Sequence, residues 1–73
     1  MSKSIGMIET SGMIQATKAA DAALKSANVR LVGYDNAGDG RITVVVEGNV
    51  AAVQAAIAAA RMMVPGVTGS VKK

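Results

Sequence analysis

Two runs rich in β-branched residues, "NVRLVGYD" and "RITVVVEG", flank the five residues "NAGDG". A glycine-containing connection of this length between such runs is the signature of a β-hairpin. The hairpin makes the two runs antiparallel neighbours in the middle of the chain and turns Asn36 to Gly40 into a loop tip. Gly, Asn and Asp suit such a tip: glycine adopts positive φ without steric cost, and Asn and Asp bond back to nearby amides. The unusual element is Asp39, a carboxylate flanked by glycine on both sides.

The segments around the hairpin follow two other periods. "KSIGMIE" alternates Ile5, Met7 and Glu9 with Ser4, Gly6 and Ile8, which suits a short strand with apolar groups on both faces; Gly6 predicts a close backbone neighbour. Thr10 or Ser11 is placed to cap a helix from Met13 to Ala27, whose apolar residues at 13, 16, 20, 24 and 27 form one stripe. Asp21 and Lys25 are four apart in the order that supports a helix. After the hairpin, Asn49 predicts a second helix cap, and Val50, Val53, Ile57, Ala60 and Val64 a second stripe, stopped by Pro65 and Gly66. "VTGSVKK" predicts a short final strand. The order is β-α-β-β-α-β, an α+β, ferredoxin-like fold with an antiparallel sheet and both helices on one of its faces. No repeat, linker or second domain is expected in residues 1–73.

With 73 residues, the chain buries only about 60% of its unfolded surface, and it has no Cys for a disulfide and no His for zinc. Association is the remaining source of stability. The absence of imidazole and thiol also removes Ser-His and Cys-His catalysis. Of the five carboxylates, none forms an evident acid–base pair, so no catalytic residue is expected. "DNAGDG" does not make a calcium loop: Ala37 and Val46 stand where oxygen ligands are needed. Nor does "GDG" make a phosphate cradle, since a β-run rather than a helix follows. A net charge of +3 with a single aromatic, Tyr34, argues against a nucleic-acid platform. There is no apolar run long enough for a bilayer and no secretion signal, so a cytosolic protein without membrane partners is expected.

The segments "SIGMIETSGM" and "AADAALKSANVRLVGYDNAGDGRITVVVEGNVAAVQAA", in register from about Ser4 to Ala56, resemble the small hexameric shell proteins of bacterial microcompartments. The resemblance implies a structural protein of the bacterial cytoplasm, without cofactor or bound metal. Its homohexamers would tile edge to edge, with sibling shell proteins, into facets around an enzyme cargo. In that family the loop between the second and third strands points at the six-fold axis. Gly38, Asp39 and Gly40 would therefore line a central pore for small metabolites.

The family often carries Ser where this chain has Asp39, so a ring of carboxylates is expected to favour cations and disfavour anionic metabolites. Lys25 and Asn28, from "KSAN", would lie at the edge between hexamers. The chain ends at "SVKK" without the family's "V-I-P-R-P" stretch, which predicts a shortened last strand, a fragment or trimmed form, or a strand supplied by a partner. The alternative reading is a ferredoxin-like regulatory module binding a small ligand between subunits, which would form dimers or trimers rather than hexamers.

Overall fold

The computed structural model describes residues 3–73. Six elements follow in the expected order: β1 (Ser4–Thr10), α1 (Met13–Ser26), β2 (Arg30–Asn36), β3 (Ile42–Gly48), α2 (Val50–Met63) and β4 (Thr68–Lys72). The strands form one antiparallel sheet in the order β2-β3-β1-β4, so β1 is central although it comes first in sequence.

The period of two along β1 decides where the core lies. Ser4, Gly6, Ile8 and Thr10 are buried, while Ile5 and Met7 are half-buried and Glu9 is exposed. Val44 and Val46 of β3 continue the buried face. Both helices pack on it, side by side and in contact with each other as well as with β1 and β3. Alanine makes this close layer possible: Ala16, Ala19, Ala20 and Ala23 of α1 and Ala56 and Ala60 of α2 are all buried in one cluster with Ile8, Val44, Val46 and Val53.

Several local expectations need correction. The buried stripe of α1 runs through Ala16, Ala19, Ala20 and Ala23, whereas Met13 and Leu24 are 49% and 42% exposed. Position on the helix outweighs side-chain hydrophobicity here, because only small groups fit against α2. Neither Thr10 nor Ser11 caps α1 with its side chain. Instead Gln15 reaches back one turn, and its Oε1 accepts a bond from the Ser11 amide at 2.8 Å. The Thr10 hydroxyl is occupied elsewhere, 2.9 Å from the Ile42 carbonyl oxygen and 3.2 Å from that of Gly12.

Gly6 does have a close neighbour, but it is a side chain rather than backbone: an added Cβ would stand 2.6 Å from Val53 Cγ1 and 3.0 Å from Val46 Cγ2. The cap of α2 is as expected, with Asn49 Oδ1 accepting from the Ala52 amide at 2.8 Å. The final strand is five residues against seven in the others, and it occupies the free edge of β1. No partner strand is needed at that place.

Candidate functional site

The residues singled out in the sequence fall at the two ends of β2. Seven extended residues span roughly 20 Å, so the hairpin tip and the end of α1 are distinct places.

At the tip, the amide of Ala37 donates to the carbonyl oxygen of Arg41 at 3.1 Å and closes a loop of five residues. Two side chains then shape it from within. Asn36 Oδ1 accepts from the Gly38 amide at 2.9 Å, and Asp39 Oδ1 accepts from the Arg41 amide at 3.2 Å. Gly38 and Gly40 both have φ +88, and a Cβ on either would meet nothing within 4 Å. Backbone conformation, not crowding, calls for glycine at these two positions.

Asp39 is not a free carboxylate. Its second oxygen, Oδ2, accepts from Arg41 Nε at 3.0 Å, and Arg41 Nη1 lies 3.7 Å from Glu9 Oε1 on β1. The amide of Arg41 above all, with help from its guanidinium, holds the Asp39 carboxyl below its ordinary pKa against the opposing effect of desolvation. The sequence alone suggested an unpaired carboxylate; the structure supplies a cation beside it. Arg41 and Glu9 went unnoticed as site residues. The signal available was the spacing Asp39-Gly40-Arg41 across a hairpin tip, which turns the arginine back over its own loop.

The open face of the sheet separates charge. In register across it at the tip end stand Asp35, Thr43, Glu9 and Thr68. At the other end stand Arg30, Glu47, Ile5 and Lys72. There Glu47 Oε1 is 2.7 Å from Arg30 Nη2 and 3.5 Å from Lys3 Nζ. The hydrogen bond from Arg30 is the main cause of a lowered Glu47 pKa. Net charge is thus negative toward the hairpin tip, where Asp35, Glu9 and Asp39 outnumber Arg41, and positive away from it, where Lys3, Arg30 and Lys72 outnumber Glu47.

At the far end of β2, Lys25 lies in the last turn of α1, its Nζ 3.2 Å from Asp21 Oδ2 and both side chains largely exposed. The i,i+4 pair is therefore the one expected. Lys25 also lines a groove of about 440 Å³ with Lys18, Asp21 and Met63. Asn28 is exposed in the turn between α1 and β2, its backbone oxygen facing Gly48. Among the described residues, no group of three or more His, Cys, Asp or Glu is placed to hold a metal. Among the same residues, no helix is long and apolar enough to cross a membrane.

With this geometry in hand, the relatives are informative. The family model described as the BMC domain matches residues 4–72. The bacterial microcompartment shell protein PduA of Citrobacter freundii is 56% identical over 54 residues, 74% of this chain and 58% of its own. The carboxysome shell protein CcmK1 of Thermosynechococcus vestitus is 49% identical over 69 residues, 94% of this chain and 61% of its own. The chain thus spans about three fifths of the length of these curated relatives. A crystal structure of a microcompartment protein from Desulfitobacterium hafniense superposes with a TM-score of 0.88 at 33% identity, covering 97% of this chain and 41% of that one.

Proposed function

Because this chain belongs to the BMC-domain family, we propose that it is a shell protein of a bacterial microcompartment, a structural part rather than a catalyst. The observation that carries this reading is the family match across nearly every described residue, together with relatives named as shell proteins of two compartment types.

The finer reading is a cyclic homohexamer whose tiles meet edge to edge, with sibling shell proteins, around an enzyme cargo in the bacterial cytoplasm. Gly38, Asp39 and Gly40 line its central pore, through which small metabolites pass. What supports this is the form of the tip. It lies at the end of the hairpin, has open space where side chains on its glycines would stand, and is shaped by bonds within its own loop, so copies can meet there without disturbing the core. Lys25 and Asn28 form the edge between hexamers. Both are exposed at the end of the molecule remote from the tip, which is the relation a pore and a rim require. A small core and the absence of disulfide or zinc ligands give the chain reason to gain stability from association.

Native mass spectrometry of the chain at low salt tests the reading. A dominant six-fold mass is expected, and Lys25→Ala should keep that mass while abolishing extended sheets in electron micrographs. A dimer or trimer would favour the ferredoxin-like regulatory module instead.

A further inference from the structure

We propose that Arg41 is the residue that sets the charge selectivity of the hairpin tip, and that the assembled pore passes small uncharged polar molecules in preference to ions. The proposal rests on the pore reading of Gly38 to Gly40 and gives it a substrate class.

Both oxygens of Asp39 are taken by Arg41, one by its amide at 3.2 Å and the other by its Nε at 3.0 Å. The closing bond from the Ala37 amide to the Arg41 carbonyl fixes the arginine backbone beside the tip, so the guanidinium need not cross space to find the carboxylate. Glu9, on the central strand, attracts the far side of the same guanidinium at 3.7 Å and favours the folded-back position over one directed away from the loop. Arg41 is therefore held from two sides, by its own hairpin and by β1.

A ring of such tips carries as many guanidinium groups as tip carboxylates, and the two cancel at short range. An ion approaching the constriction meets a close pair, whose field falls off faster than that of a lone charge. What remains to contact a solute is the polar backbone beside Gly38 and Gly40, to which a neutral, hydrogen-bonding molecule can bond without first shedding the tightly held water shell of an ion. Asp35 and Glu9, lower on the open face, make the approach unfavourable for anions without placing an unpaired charge at the narrowest point.

The test uses the whole chain as wild type, Arg41→Gln, Asp39→Asn and the double variant, with Mn²⁺ and inorganic sulfate as probes. Native mass spectra report oligomer size and bound ions, calorimetry reports affinity, and carbon-13 NMR follows the Asp39 carboxyl. Removing Arg41 should raise Mn²⁺ affinity about tenfold through the uncovered carboxylates, and removing the Asp39 charge should raise sulfate affinity by a similar factor. The double variant should return to the weak binding of the wild type. In Arg41→Gln the Asp39 carboxyl should titrate at higher pH than in the wild type. A six-fold mass with unchanged Mn²⁺ binding and unchanged Asp39 titration overturns the assignment to Arg41 alone. A spectrum without a six-fold mass overturns the pore reading, and the selectivity with it.

Discussion

Glycine serves two different purposes at the two ends of this small molecule. Gly6 lies under α2, where an added Cβ would stand 2.6 Å from Val53 and 3.0 Å from Val46, two side chains with no exposed surface. Gly38 and Gly40 lie at the hairpin tip, where a Cβ would touch nothing but the backbone holds φ at +88. In the helix-covered layer glycine makes room; at the tip it makes a shape. The first requirement comes from close packing of β1 against α2, the second from the turn alone. The contrast separates the part of the chain committed to stability from the part left free to face a ligand or another copy.

The sharpest way to break this contrast is to enlarge both kinds of glycine. Gly6→Val forces a branched side chain into the space of Val53 and Val46, and should cost roughly 3 kcal/mol in urea unfolding. A loss below half that value would show that α2 can lift away from the sheet. Gly40→Ala should cost less, about 1 kcal/mol, because only the unfavourable positive φ is imposed. Its expected signature is altered hairpin-tip amide shifts with the core spectrum unchanged. If it unfolds the protein as severely as Gly6→Val, the tip is not independent of the core.

The smallest effect is that of acid. Asp39 and Glu47 have lowered pKa values, chiefly through hydrogen bonds from Arg41 and Arg30. Groups whose folded pKa is depressed stabilise the fold above their unfolded values, and that contribution is lost as pH falls through the folded ones. Stability should thus be nearly flat from neutral pH to about pH 5 and decline below about pH 4. Asp39, Arg41 and Arg30 are exposed and Glu47 is half-buried, so the decline should be shallow and weaker still in high salt. Arg41→Gln should remove only the guanidinium's share of the Asp39 contribution, because the backbone amide at position 41 still donates to the carboxylate.

Much of the architecture was legible because hydrophobic period and turn chemistry are local. The two Val-rich runs around Asn36 to Gly40, the Asn49 cap and the stop at Pro65 and Gly66 each depend on residues close in sequence. The face of α1 was harder to read. A search for large apolar residues picks out Met13 and Leu24, which are exposed, and passes over Ala19 and Ala23, which are buried. Alanine is apolar but small, and its place in a core depends on how near the opposing helix comes, which no single segment encodes. Gly6 gave a true signal of crowding, yet the crowding group, Val53, is supplied by a helix more than forty residues later.

The candidate site divides in the same way. The position of Asp39 between two glycines, the hairpin that carries it and the Asp21–Lys25 pair follow from neighbours in the chain. The sequence by itself therefore determined where the tip is and that it bears a carboxylate. The tertiary structure completed the electrical character of that tip. Arg41 becomes the partner of Asp39 when the loop closes, and it is steadied by Glu9 only because β1, first in the chain, inserts beside β3 in the sheet. Charges act through distance in space, and a distance between strands separated by more than thirty residues exists only once the sheet has formed.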